Sequence, residues 1–126
     1  MNRFEMLFSP YTLKGCTFRN RIVLPPMNTN FAVADGSVNE RFTKYYVKRG
    51  KGGAGLLIVS SAYIDQAAKK RAGALLLDDD RFIPKLKAFT SAVQRTGAKI
   101  FQQLNHNGRL LTSSKELKTS ATGEPV

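Results

Sequence analysis

The sequence predicts an α/β fold built on a parallel sheet. Three apolar runs begin near residues 21, 55 and 98, and an amphipathic helical segment separates each run from the next. This spacing suits right-handed βαβ crossovers, in which successive strands lie parallel. With 126 residues, the chain is long enough for one domain with a hydrophobic core.

A short β-hairpin is predicted ahead of the first strand of the sheet. The segments YTLKG and CTFRN alternate apolar and polar residues around Lys14 and Gly15, as two facing strands with a tight turn do. Residues 21–27, RIVLPPM, then form the first strand of the sheet. Its two prolines end the strand, because proline cannot donate a hydrogen bond to a ladder.

The first helix is predicted within residues 35–53. Ser37 and Glu40 have the spacing of a capping box, which satisfies two free amides at a helix start, and three glycines follow near residue 50. The apolar side chains fall on one helical stripe, which favours packing over chemistry for the two tyrosines. The stripe consists of Val38, Phe42, Tyr45 and Tyr46.

The second strand, helix and third strand follow in order. Residues 55–64, GLLIVSSAYI, have the composition of a strand buried on both faces, and residues 65–79 form a polar connection. Asp79 or Asp80 can cap the second helix, Pro84 fits its first turn, and Gly97 ends it. Residues 98–104 form the third strand, and a loop rich in Ser, Thr and Lys follows. The stripe of the second helix is Phe82, Leu86, Phe89 and Val93.

Composition argues against several classes of function. The net charge is +11, but the basic residues are scattered in pairs and triplets without a zinc-finger or RNA-binding signature. Solvated helix faces explain them better than a specific nucleic-acid site does. Cys16 is the only cysteine and His106 the only histidine, so neither an internal disulfide nor a metal cluster is expected, and Cys16 is interpreted as inert. No apolar stretch approaches a membrane span, and the start lacks a signal core, so we expect a cytoplasmic protein.

Polar side chains gather where each predicted strand ends. Because the carboxyl ends of parallel strands meet at one edge of a sheet, this pattern predicts a ligand site there. The alternative interpretation is that polar loops simply begin at these positions. The residues are Asn28, Thr29 and Asn30 after the first strand, Ser60 and Ser61 in the second, and Gln102, Gln103, Asn105 and His106 in the third.

The type of polar group at the strand ends limits the classes of ligand that could bind there. Neither phosphate-binding glycine signature is present, and no acidic, histidine or cysteine cluster lies at the strand ends. Neutral amides and hydroxyls remain. Such groups can bind the edge of a flat heterocycle that carries both hydrogen-bond donors and acceptors.

Several segments together resemble one enzyme family. RNRIVLPPM, YYVKRGKGGAGLLIVSSAYI and QQLNHNGR are similar in order and spacing to the Old Yellow Enzyme family of flavin-dependent ene-reductases. LFSPYTLKGCTFRNRI resembles the N-terminal hairpin that closes the barrel floor in that family. PPMNTNF and GGAGLLIVSSAYI resemble the branch of 2,4-dienoyl-CoA and 2-enoate reductases.

The resemblance implies a TIM (β/α)8 barrel with FMN at its C-terminal mouth. Residues 1–126 would be the N-terminal part of that single FMN-binding domain, about three βα units and a hairpin, and inactive alone. NAD(P)H would supply hydride for an activated alkene such as an enone or enoyl thioester. An iron–sulfur cluster and FAD would belong only to a downstream region, and a homo-oligomer of the full-length protein is compatible with the family.

The resemblance also assigns cofactor-binding residues. Pro26 and Met27 would pass their backbone alongside the flavin, and Asn28 would lie near its O4 and N5 atoms. Ser61 matches a small residue that approaches O4. Gln103 matches the glutamine that holds the pyrimidine edge of the flavin.

No catalytic residue is expected within these 126 residues. His106 is a weak candidate, because its matching position supports the loop after the third strand and the sequence shows no partner to orient it. Arg109 is interpreted as a loop-fixing residue. Two alternatives stay open at this point: another βα-barrel enzyme with a downstream phosphate site, and a non-catalytic basic binding module.

Overall fold

The computed structural model of the chain describes residues 4–69 and 71–108. Its helices and strands follow the predicted order, with a short helix added at the start and a short strand in the connection. The elements are α1 (Glu5–Phe8), β1 (Tyr11–Leu13), β2 (Cys16–Phe18), β3 (Val23–Leu24), α2 (Glu40–Lys51), β4 (Leu56–Tyr63), β5 (Leu75–Leu76), a 3-10 turn (Asp80–Phe82), α3 (Ile83–Gln94) and β6 (Lys99–Asn105).

The main sheet is parallel, as the sequence predicts. Strand β4 lies at its centre, with β3 on one side and β6 on the other. Leu56 pairs with both Val23 and Lys99, so the three strands begin level with one another. The short β5 pairs with the last two residues of β4 on the side of β3, because β6 occupies the other side.

Two strand predictions need correction. The sequence predicts the first strand over residues 21–27, but β3 covers only Val23–Leu24, because Pro25 and Pro26 follow at once and cannot donate to the ladder. The connection 65–79 contains β5, which the sequence did not reveal. Two residues are too few to show a periodic pattern.

The predicted capping box of Ser37 and Glu40 is wrong. Helix α2 begins at Glu40, and Asn39 caps it by accepting the Phe42 N–H at 2.8 Å. Asn is as strong a cap as Ser, so the spacing alone could not separate them. The Ser37 N–H instead donates to the Asp35 carboxylate at 2.8 Å, which closes a turn before the helix.

The predicted Asp79 cap lies on the 3-10 turn that leads into α3, whereas the first residue of α3 follows Phe82, which makes no side-chain cap hydrogen bond. The Asp79 carboxylate accepts the Arg81 N–H at 2.8 Å, and Pro84 lies in the first turn of α3. The chain then turns at Gly97, whose φ of 82° is in the left-handed region that favours glycine.

The core lies between the sheet and the two long helices. Three aromatic rings from the predicted stripes, those of Phe42, Tyr46 and Phe89, contact one another at centroid distances of 5.0–5.5 Å. They cover Leu57 and Val59 of β4, which are at most 1% exposed. Fully burying one such side chain contributes about 1.5–3 kcal/mol, so this layer holds the sheet and helices together.

The hairpin closes the end of the sheet where the strands begin. Lys14 and Gly15 form its turn with positive φ, as expected. The Phe18 ring packs against Phe101 of β6 at 6.1 Å between centroids. The Arg19 guanidinium donates to the carbonyl oxygens of Gly50, Ala54 and Thr96, and so ties together the carboxyl ends of α2 and α3.

Asn20 determines how closely the chain approaches the start of β4. Its side-chain amide donates to the Gly53 carbonyl at 2.7 Å, and its Oδ1 accepts the Ile22 N–H at 3.1 Å. A Cβ atom at Gly55 would lie 2.6 Å from Asn20 Oδ1 and 2.7 Å from its carbonyl oxygen. Only glycine fits at position 55.

We therefore expect Gly55→Ala to lower the free energy of unfolding by about 1–3 kcal/mol, the usual cost of overpacking a close contact. Urea unfolding of the full-length protein measures the loss. Gly52→Ala is the matched control, because Gly52 is exposed, has a φ of −71° and would bring its Cβ no closer than 3.3 Å to another atom. Equal losses at both positions would contradict this account.

Candidate functional site

A β-bulge interrupts β4 where the predicted polar cluster begins. Val59 pairs with Gln102 and Ala62 pairs with Leu104, so two residues of β4 lie opposite the single residue Gln103 of β6. Those two residues are Ser60 and Ser61. Bulges of this kind redirect side chains and are common beside functional sites.

The bulge reverses the face to which the following side chains point. Val59 and Ala62 are both buried in the core beneath the helices, although residues three apart in a regular strand point to opposite faces. Ser61 therefore lies on the face turned away from the helices. In a regular strand it would share the face of Val59.

Both backbone groups of Ser60 are satisfied by side chains. Its N–H donates to the Tyr46 hydroxyl oxygen at 2.9 Å, and its carbonyl accepts the Gln102 amide at 2.7 Å. The same amide nitrogen also lies 2.8 Å from the Gln103 carbonyl. Unpaired backbone groups are costly when buried, so these contacts stabilise the bulge.

The bulge brings together two of the predicted cofactor-binding residues. The Ser61 hydroxyl donates to Gln103 Oε1 at 3.0 Å, which fixes the orientation of the Gln103 amide. Within the described residues, the Nε2 group of Gln103 has no hydrogen-bond partner. Gln103 is exposed, so its two N–H donors are available to a ligand on the face opposite the helices.

The other three predicted residues lie after β3 in a segment without regular structure. Pro26 is half-buried, while Met27 and Asn28 are exposed. No hydrogen bond between described residues joins Asn28 to Ser61 or Gln103. The segment leaves the carboxyl end of β3, beside the strand that carries Ser61.

His106 has an orienting partner that the sequence did not reveal. Its Nδ1 accepts the Gly108 N–H at 3.0 Å, so its Nε2 carries the proton when the ring is neutral. That Nε2 lies 3.6 Å from the Asp65 carboxylate. The contacts connect the loops after β6 and β4, which fits a supporting role, and the weak catalytic assignment stays a prediction. Arg109 lies outside the described residues.

The sequence does not reveal that Tyr46 and Gln102 bind the backbone of the bulge. The helical spacing of Tyr46 indicates packing of its ring, whereas its hydroxyl contact depends on a bulge that no sequence pattern reveals. Gln102 was recognised as polar, but its carbonyl partners come from the register of β6 against β4.

Burial widens the pH range over which the Tyr46 phenol stays neutral. Desolvation raises the pKa of its phenol, and the hydrogen bond from the Ser60 N–H opposes that rise only in part. The phenol is therefore neutral at physiological pH and remains a steady acceptor for the bulge.

The described residues form neither a metal-binding cluster nor a membrane-spanning helix. Within residues 4–69 and 71–108, no three His, Cys, Asp or Glu side chains gather closely enough to hold a metal ion. Among the helices of the described part, none is long and apolar enough to cross a bilayer.

Comparison with known proteins identifies the family. Residues 6–125 match the family described as NADH:flavin oxidoreductase / NADH oxidase. The chain belongs to this family. The resemblance to Old Yellow Enzymes is thus confirmed at the level of the family.

Individual relatives agree in sequence and in structure. The chain is 43% identical over 113 residues to an NADH oxidase of Thermoanaerobacter brockii, covering 89% of this chain and 17% of the oxidase. The Old Yellow Enzyme homologue of Zymomonas mobilis superposes with a TM-score of 0.75 at 30% identity, covering 83% of this chain and 29% of that one. A 2-naphthoyl-CoA reductase in complex with 2-naphthoyl-CoA superposes at 0.81 and 28% identity, covering 84% and 16%.

The chain therefore spans about a sixth of that NADH oxidase. The described residues form part of an Old Yellow Enzyme TIM barrel, with β3, β4 and β6 as three consecutive barrel strands. The similarity to the dienoyl-CoA reductase branch in particular stays a prediction.

The pKa of Tyr46 is raised in the folded state and is about 10, the ordinary value for tyrosine, in the unfolded state. The contribution of this difference to the free energy of unfolding is fully present below a pH of about 10 and is lost as pH rises through the raised pKa. We expect the stability of the wild type relative to Tyr46→Phe to fall by up to about 1.4 kcal/mol per pH unit in that window. Urea unfolding of both proteins at pH of about 8, 10 and 11 measures it. A difference that stays constant would contradict the assignment.

Proposed function

We propose that the full-length protein is an FMN-dependent oxidoreductase that reduces activated alkenes with NAD(P)H. The observation that carries this proposal is the Ser61–Gln103 pair, which presents oriented polar groups on the helix-free face of a parallel sheet. Membership of the NADH:flavin oxidoreductase family supports the cofactor and the hydride donor.

The residues present fit a flavin ring. Gln103 Oε1 accepts from Ser61, so the amide nitrogen can donate to a ring carbonyl oxygen of the flavin. The Ser61 oxygen keeps its lone pairs for a second contact. Neutral donors and acceptors match the neutral edge of an isoalloxazine better than they match a metal ion or a phosphate.

Each residue has a defined task in this proposal. Gln103 binds the pyrimidine edge of the ring, Ser61 holds the Gln103 amide in place, and the backbone at Pro26 and Met27 lies alongside the ring. Asn28 donates toward O4 and N5. The chemistry that FMN supplies when bound is hydride transfer, from NAD(P)H and then to the β-carbon of the alkene.

The substrate class follows from the reaction. An alkene accepts hydride when a carbonyl or thioester withdraws electrons from it, so we propose enones or enoyl thioesters. The similarity to a reductase bound to a CoA thioester supports the thioester class. We further propose that residues 1–126 are the N-terminal part of a single FMN-binding barrel domain.

Replacing Gln103 tests the cofactor assignment. Gln103→Leu removes the oriented donor and leaves a flavin oxygen unpaired, so we expect FMN affinity to fall by about 1–3 kcal/mol, or roughly 5- to 150-fold. Fluorescence titration of the full-length apoprotein measures the dissociation constant. Gln94→Leu is the matched control at an exposed position at the end of α3. An unchanged dissociation constant in Gln103→Leu would count against the assignment.

Replacing Asn28 tests the second contact. A donor near O4 or N5 stabilises the electron-rich reduced flavin, so Asn28→Ala should lower the reduction potential of bound FMN. Asn28→Asp should lower it further, since it adds negative charge as well as removing the donor. Redox titration gives both values. A rise, or no shift in either variant, would refute the role of Asn28.

A further inference from the structure

We propose that Tyr46 is a positioning residue for the flavin site and acts through the bulge in β4. The inference rests on the proposed FMN site, because it concerns how Ser61 and Gln103 are held there. Tyr46 lies on the opposite side of the sheet, within the helix layer, and is 1% exposed.

The bulge needs a partner from outside the sheet. An extra residue in one strand takes its own backbone groups out of the regular ladder. The Ser60 N–H is such a group, and the Tyr46 hydroxyl oxygen accepts it at 2.9 Å. Ser60 is buried, so water cannot readily replace this acceptor.

The direction of Ser61 depends on that bulge. With the bulge, Ser61 lies opposite the helix face and its hydroxyl reaches Gln103 Oε1 at 3.0 Å. Without it, regular alternation would turn Ser61 toward the helices and give up this hydrogen bond. Loss of the Tyr46 acceptor therefore weakens the orientation of the Gln103 amide.

Tyr46 is held rigidly enough to act in this way. Its ring contacts those of Phe42, Tyr45 and Phe89 at centroid distances of 5.0–5.5 Å. A tightly packed ring has one position, so its hydroxyl offers a fixed acceptor to Ser60. The packing of α2 and α3 thus determines the backbone of β4 at the site.

Tyr45 provides a matched control. It neighbours Tyr46 on α2, and its ring lies under the Arg49 guanidinium at 3.2 Å. Within the described residues, its hydroxyl makes no hydrogen bond. Tyr45→Phe therefore removes a hydroxyl from the same helix without touching the bulge.

The experiment compares Tyr46→Phe, Tyr45→Phe and wild type in the full-length protein. Phenylalanine keeps the packing of the ring and removes only the acceptor. If the bulged arrangement falls to about one tenth of the molecules, the FMN dissociation constant rises about tenfold. Hydrogen exchange at the Ser60 amide, measured without cofactor, should quicken in Tyr46→Phe and stay at the wild-type rate in Tyr45→Phe.

A double-mutant cycle distinguishes positioning of the Gln103 amide from a general loss of stability. When Gln103 is already replaced by Leu, the bulge no longer orients the Gln103 amide and only the Ser61 oxygen remains for the flavin, so Tyr46→Phe should change FMN affinity less than in the wild type. Fully additive effects would show that Tyr46 acts on folding alone and would overturn the proposal. Unchanged FMN affinity in Tyr46→Phe would overturn it too.

Failure of the proposed function gives a different result. A full-length wild type that binds no FMN would refute the cofactor assignment itself. The exchange rate of the Ser60 amide in the cofactor-free proteins then still decides whether Tyr46 holds the bulge, and equal rates in all three proteins would refute that contact.

Discussion

Strand β4 packs under the helices on one face, and its other face carries the proposed flavin site. Its polar side chains must therefore point away from the helices. In β4 the Ser60–Ser61 bulge does this, and the hydrogen bond from the Ser60 N–H to Tyr46 supports it. Val59 and Ala62 on either side both stay in the core. Ser61 then reaches Gln103 on the other face. The buried core residues and the proposed site thus use opposite faces of the same strand.

The two ends of the sheet are built differently. At the end where the strands begin, carbonyl oxygens at the ends of the helices are bound by Arg19, and Asn20 leaves no space beside Gly55. At the carboxyl end, side-chain amides and hydroxyls orient one another. The contacts at the end where the strands begin hold the strands in register. The amides and hydroxyls at the carboxyl end therefore lie within hydrogen-bond distance of one another.

The order of elements could be predicted because it depends on local periodicity. The stripes of α2 and α3, the aliphatic run of β4 and the hairpin turn all carry their signal within a few residues. The sequence does not distinguish Ser37 from Asn39 as the cap of α2, because both are good caps, and in the structure Asn39 accepts the Phe42 N–H. The two-residue β5 is too short for any pattern to indicate it.

The sequence indicates the residues of the proposed site but not the contacts that support them. Polar strand ends and the family resemblance indicated Ser61 and Gln103, because both lie in the sequence segments that bear the resemblance. Their hydrogen bond requires a change of register between β4 and β6, which is a property of two strands together. The hydrogen bond between the Tyr46 hydroxyl and Ser60 could not be predicted. The spacing of Tyr46 on the helix indicates burial of its ring and gives no information about the hydroxyl.

The most direct test of the account is an experimental structure of the full-length protein with FMN bound. We predict that the flavin lies at the carboxyl ends of β3, β4 and β6, with Gln103 Nε2 within hydrogen-bond distance of a ring oxygen. We also predict that Ser61 still donates to Gln103 and that the Ser60 N–H still donates to Tyr46. A flavin bound elsewhere, or a β4 without the bulge and with Ser61 turned toward the helices, would contradict the account.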